Sequence, residues 1–207
     1  MRTRIKIAPL VAVLFCLLVG VSFLLYDGRP PPARAEVAAL LSQVSVVEKR
    51  QTIIGYSRAE FGGGWGMKGS CNTRQAVMVR WFGGSCGAVG ERDASDPYTG
   101  EMLDPLDVDI DHVYPLAAAW DFGAAFWTAT QRTEFANDIK LNLLPTAAAV
   151  NRAKSDHTPA EWMPDGRSTA LRCDYSKQYL QVAIRWELPV SAADWQALAG
   201  GCGIRGE

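Results

Sequence analysis

The chain has 207 residues, 48% hydrophobic and 21% charged, with a formal net charge of −1. That balance excludes a disordered polymer and leaves room for one compact domain. Residues 1–35 carry Arg2, Arg4, Lys6, Arg29 and Arg34 against Asp27, so the remainder holds sixteen positive and twenty-one negative side chains, a net of −5. Such a body excludes a general basic surface for nucleic acid; a polyanionic substrate would need a local basic cleft and a bound cation.

The N-terminus reads as an export signal. Arg2, Arg4 and Lys6 precede an apolar run from Ile7 to Leu25, interrupted by Pro9, Gly20 and Ser22, and Ala33-Arg34-Ala35 offers a small-x-small cleavage site. Cleavage is the favoured reading. An uncleaved membrane anchor is its rival, because about 20 apolar residues can span a bilayer. Either way the body lies outside the cytoplasm, secreted or membrane-anchored. Phe15 before Cys16 argues against lipidation. Arg29 to Ala35, with Pro30-Pro31-Pro32, is predicted to be an extended spacer. Residues 36–207 are then the functional domain.

Val37, Leu40, Leu41, Val44 and Val47 have helical spacing, which predicts a helix over Glu36–Glu48. Phe61 to Gly69 is a glycine-rich loop without the Gly-Lys-Ser/Thr ending of a phosphate-binding loop. A short helix is predicted over Thr73–Trp81, followed by turns to Gly100. Leu106 to Asp111 alternates apolar and acidic residues and predicts a strand stopped by Pro115. Residues 116–138 read as helical, and Leu141–Leu144 as a strand closed by Pro145. Thr146 is placed to cap a helix through Asn151 to Lys154. Helices over Ser168–Trp186 and Ser191–Leu198 complete the order, Ser191 serving as a cap.

Cys71, Cys86, Cys173 and Cys202 form an even set in an exported domain, which reads as two disulfides. Three pairings are possible; Cys71–Cys86 and Cys173–Cys202 are favoured because each pair encloses one local unit. A four-cysteine zinc site would need C-x-x-C pairs, and the sequence has none.

The chemistry-bearing residues cluster between Asp111 and Asp156. The chain has two histidines, and His112 has the context of a base: an imidazole with an ordinary pKa of about 6.5 suits proton transfer near neutrality. Asp111 and Asn151 supply oxygens of the kind Mg²⁺ or Mn²⁺ accepts with few protein ligands. Lys154, three residues after Asn151 on one helix face, is predicted to face phosphate. Arg74 and Arg152 are further candidate phosphate contacts. Each has a structural alternative: Asp111-His112 as a surface turn, Asn142 as a strand-edge turn residue, Asn151 as a solvated helix position, and Arg74 as a salt bridge. Asp109 shares the Asp111 face by strand alternation; a second acid in the site is one reading of it, and a surface carboxylate is the favoured one. His157 reads as a solvated loop residue, and Trp120, Phe126, Trp127 and Phe135 as core rather than a base-stacking platform.

Asp111-His112-Val113-Tyr114-Pro115, Asn142-Leu143-Leu144 and Asn151-Arg152-Ala153-Lys154-Ser155-Asp156 together resemble the HNH group of His-Me finger (ββα-metal) endonucleases. Within it, the chain is similar to exported HNH endonuclease family proteins, related to the C-terminal nuclease domain of GmrSD-type restriction enzymes. Cys71-x-Thr73-Arg74, Asp96-Pro97-Tyr98-Thr99-Gly100, Ala136-Asn137-Asp138 and Pro159-Ala160-Glu161-Trp162 extend the resemblance over roughly residues 50–202. It implies an α+β fold, mostly helical around a ββα-metal core at about 104–156. It also implies His112 as general base, Asp111 and Asn151 as metal ligands, Asn142 as the residue that holds the loop, and 5′-phosphate and 3′-hydroxyl products. Zinc-binding cysteine pairs common in HNH proteins are missing here. The expected function is an exported, monomeric, metal-dependent endonuclease acting on DNA, or on RNA. The competing readings are an idle cell-surface binding module and a phosphohydrolase of small esters.

Overall fold

The computed structural model describes residues 32–164 and 168–205. The expected signal or anchor lies outside the described residues. Helix α1 spans Pro32–Leu41, so the last residues of the expected extended spacer are helical. Proline is tolerated in a first turn because its missing N–H would have no helical partner there. The helix also stops short of Glu48: Val46–Val47 (β1) pairs in parallel with Val190–Ser191 (β8). The apolar spacing outlasts the helix, since Val44 is still buried beside Val37 and Leu41.

From Pro32 onward the chain forms one contact unit, and its fold is α+β. Two short antiparallel ribbons, Met67–Lys68 (β2) with Cys71–Asn72 (β3) and Gly84–Ser85 (β4) with Ala88–Val89 (β5), flank helix α2, Thr73–Phe82. The α2 start is a reciprocal capping box in which Asn72 and Gln75 satisfy each other's backbone N–H groups. A disulfide joins Cys71 to Cys86 across this unit, and another joins Cys173 to Cys202.

The central ribbon pairs Val108–His112 (β6) antiparallel with Leu143–Ala147 (β7), with Asp111 opposite Leu144 and His112 opposite Leu143. Pro145 does not close β7; it lies within it, opposite Ile110. A two-stranded ribbon has an outer edge on each strand, and there a proline leaves no ladder donor missing. Between the strands the predicted continuous helix is broken into α3 (Leu116–Asp121), a 3₁₀ turn (Ala124–Phe126) and α4 (Ala129–Ala136). Gly123, at φ 131°, takes the chain between the first two, and Thr128 restarts the helix with a capping box. Helix α5 (Ala148–Lys154) follows β7 directly. Thr146 does not cap it: its hydroxyl donates to Asp96 Oδ2 at 2.7 Å instead.

Helix α6 (Thr169–Arg185) packs between α1 and α7 (Ala192–Gly201). Ser168 and Ser191 cap α6 and α7, Ser191 within a capping box with Asp194. The larger core joins these helices to α3 and α4 through aromatic side chains, including Tyr114 stacked on Tyr179 at 4.6 Å between centroids and Phe135 edge-on to Trp186. A smaller core joins α2 to β6 and β7 through Val77, Phe82, Ile110 and Leu143. Among the described residues no helix is long and apolar enough to cross a membrane.

Candidate active site

Strand β6 delivers Asp111 and His112 side by side, and the neighbouring elements treat them differently. Asp111 is 4% exposed and hydrogen-bonded at both oxygens. The Tyr98 hydroxyl donates to its Oδ2 at 2.6 Å, and the Lys154 ammonium lies 3.0 Å from both carboxylate oxygens. Burial raises the Asp111 pKa above the usual carboxylate value, and the Lys154 charge and the hydrogen bonds from Tyr98 and Lys154 work against that rise. Tyr98 is aimed by the turn that follows Asp96: the Asp96 carboxylate accepts from Tyr98 N at one oxygen, and from Thr146 Oγ1 and Ala147 N at the other. The Asp-Pro-Tyr-Thr-Gly segment and the end of β7 are thus tied together by one buried carboxylate.

Lys154 corrects its sequence reading. The side chain is fully buried and donates to Asp111 and, at 2.8 Å, to the His112 carbonyl. It does not face phosphate. It anchors α5 to the end of β6, because a buried ammonium is stable only where paired and hydrogen-bonded.

His112 is also buried, and its Nε2 lies 2.9 Å from the Ala136 carbonyl at the end of α4. A carbonyl only accepts, so Nε2 carries the proton and Nδ1 of the neutral ring is the acceptor. Burial lowers the His112 pKa to about 3, with Arg58 and Lys154 adding to the fall and the Ala136 hydrogen bond opposing it. The indole of Trp65 lies nearly parallel to the imidazole, 13° between planes and 5.8 Å between centroids. Asn142 is completely buried and closes the turn after His112: its Oδ1 accepts from Tyr114 N at 2.8 Å and its carbonyl from Val113 N at 2.9 Å.

An open cleft of about 520 Å³ runs over these residues, lined by His112, Asp111, Asp109, Asn151, Arg74 and Arg58, among others. Asn151 bonds not to Asp111 but to Asp109, Nδ2 to Oδ2 at 3.3 Å. Asp109, read as a surface carboxylate, is half-buried and belongs to the cleft. Arg74 lines it too, held by a hydrogen bond to the Val108 carbonyl at 2.8 Å. Arg152 is exposed on α5 and does not line the cleft, and His157 is likewise exposed. Sequence reasoning missed Trp65, Arg58 and the role of Tyr98. The Asp96–Gly100 motif was the available signal for Tyr98; nothing local marked Trp65 or Arg58.

Among the described residues no three His, Cys, Asp or Glu side chains converge as a ready-made metal cage. The oxygen donors that share the cleft include those of Asp109, Asp111 and Asn151, whose amide donates through nitrogen and keeps its carbonyl oxygen for another partner. That all-oxygen set fits a hard divalent cation that retains most of its water.

Residues 85–200 match the family described as GmrSD restriction endonucleases, C-terminal domain. The chain is also 38% identical over 178 residues to an uncharacterized secreted protein of Arthroderma benhamiae (strain ATCC MYA-4681 / CBS 112371), a match covering 82% of this chain and 85% of that protein. No solved structure matches. The chain belongs to the family of GmrSD restriction endonuclease C-terminal domains.

Proposed function

We propose that the protein is an exported, metal-dependent endonuclease that hydrolyses phosphodiesters of DNA or RNA, with His112 as the general base. The observation that carries this reading is a buried imidazole of defined tautomer in the same open cleft as Asp109, Asp111, Asn151 and two arginines. Family membership and the secreted relative support it.

His112 Nδ1 accepts a proton from a water in the cleft; the water oxygen bonds to phosphorus as the P–O3′ bond breaks, and the departing 3′ oxygen takes a proton from solvent, giving 5′-phosphate and 3′-hydroxyl ends. The low pKa keeps the ring neutral and able to accept at physiological pH. Such a base is weak on its own, but a bound phosphodiester brings negative charge, which favours the protonated imidazole and raises its basicity. The Ala136 carbonyl fixes the ring and stabilises its cationic form. Arg74 and Arg58 offset the charge of the substrate within a body that is otherwise acidic. Asp109, Asp111 and Asn151 would hold Mg²⁺ or Mn²⁺, which when bound neutralises charge developing on the phosphoryl oxygens. Asn142 and Lys154 position the base and the carboxylate without touching substrate.

Plasmid digestion with the exported protein tests the reading. Cleavage with Mg²⁺ or Mn²⁺, abolished by EDTA and lowered about 10²–10⁴-fold by His112→Ala, is expected. Intact plasmid and intact RNA under every divalent cation would overturn it.

A further inference from the structure

A second cleft, of about 400 Å³, adjoins the first and shares Arg58, Trp65, His112 and Leu116 with it. The two differ in chemistry. Asp109, Asp111 and Asp156 line the first, whereas among the described residues no carboxylate lines the second. Phe61, Leu116 and Ala136 give the second an apolar surface, and Arg58 is its one cation, at the junction with the site of phosphate chemistry. Its volume falls among small-ligand pockets, roughly 300–1,000 Å³.

Ala59 and Gly62-Gly63-Gly64 complete the wall. A Cβ added at Gly63 or Gly64 would meet nothing within 4 Å, so these residues border open space rather than packed protein. The loop is nevertheless held in place. Gly66 N donates to Asn137 Oδ1 at 2.8 Å, Thr73 donates to the Gly66 carbonyl at 2.7 Å, and Arg132 Nε donates to the Glu60 carbonyl at 2.9 Å. Trp65, next to the anchored Gly66, is thereby kept against His112, and the cleft is preformed.

We infer that this second cleft is the subsite for one nucleobase flanking the scissile phosphate, and that the substrate is nucleic acid with unpaired bases at the cut. The inference rests on the nuclease reading and names its substrate class. An apolar, preformed hollow reached past an arginine suits an aromatic base whose phosphate lies in the neighbouring polar cleft. A paired base keeps both faces in the helical stack and must leave it to enter a hollow of this kind. The acidic body also lacks the broad basic surface that grips duplex independently of sequence.

The test uses the exported protein with Mg²⁺ or Mn²⁺ on a short labelled strand, on the same strand in duplex, and on strands with one abasic position stepped past the cut. The single strand is expected to be cut about tenfold or more faster than duplex in kcat/KM, and removal of one flanking base to cost about tenfold. Gly63→Phe should slow the intact strand by a similar factor while leaving the matching abasic strand unchanged. Equal cleavage of duplex and single strand, with indifference to every abasic position, overturns the subsite and leaves the nuclease standing. Absence of any cleavage by the unsubstituted protein overturns both. Should Gly63→Phe also slow the abasic strand, the abasic series in the unsubstituted protein decides alone.

Discussion

The β6–β7–α5 unit and the helical body of α1, α6 and α7 are built on opposite terms. In the helical body the buried groups are mostly apolar or aromatic, and the Tyr175 hydroxyl is buried without a partner among the described residues. In the β6–β7–α5 unit the apolar side chains Val108, Ile110, Leu143 and Leu144 are joined by buried polar groups that are matched: Asp111 with Tyr98 and Lys154, Asn142 with Tyr114 N, and Asp96 with Thr146 and Ala147. An apolar core is specified by volume and tolerates near-isosteric exchange. A buried polar network is specified by partners, and removing one strands the others at the cost of their desolvation. The site therefore sits on the less forgiving half of the molecule, where rigidity in the reacting groups comes from hydrogen bonds rather than shape.

The largest test of this contrast is Lys154→Met. It leaves the Asp111 carboxylate buried and is expected to cost about 3–5 kcal/mol of unfolding free energy. Adding Asp111→Asn should recover part of that loss in a urea titration while leaving activity absent. Recovery of activity with the stability would place Asp111 outside the chemistry. Leu180→Ala in the helical body should cost about 2–5 kcal/mol by opening a cavity, yet keep its metal dependence and pH profile once assayed where folded. A changed pH profile would couple the two halves. Tyr98→Phe removes one hydrogen bond to a charged acceptor and should cost about 1.5–3 kcal/mol, read as a shift in the denaturation midpoint.

Acidification probes the same contrast without a substitution. Because the folded His112 pKa is below that of the unfolded chain, the unfolded state binds the proton first as pH falls from about 6.5 toward 3, and stability declines by up to about 1.4 kcal/mol per pH unit. Asp111, with its raised folded pKa, acts in the opposite sense and offsets part of the decline at the acid end. Urea titrations at pH 7 and 5 should show a larger loss in the unsubstituted protein than in His112→Phe. Equal losses would mean that the imidazole titrates normally.

Much of the architecture was legible. Alternation from Leu106 to Asp111 pointed to β6, although Leu106 proved exposed and the strand runs Val108–His112. Ser168 and Ser191 marked two helix starts, where the short-range geometry of a cap needs only residues a few positions away. Thr146 carried the same signal and failed, because Asp96, fifty residues upstream, competes for its hydroxyl. Lys154 failed for a similar reason: helical spacing showed which face it shares with Asn151 but not that the face lies against Asp111. Asp109 was placed on the right face but read as a surface carboxylate, since the cleft that receives it is completed by Asn151 on α5, Arg74 on α2 and the segment carrying Arg58 and Trp65.

The order of residues around Asp111-His112, Asn142 and Asn151 was enough to indicate the family and the α+β class. Those features depend on residue type and local spacing, both written along the chain. The tautomer of His112, the burial of Lys154, the Asn151–Asp109 bond and the presence of Trp65 against the imidazole came from packing alone. Each depends on a partner between 24 and 47 residues away or on exclusion of water by several elements at once. Long-range proximity of that kind leaves no periodicity for a sequence to display.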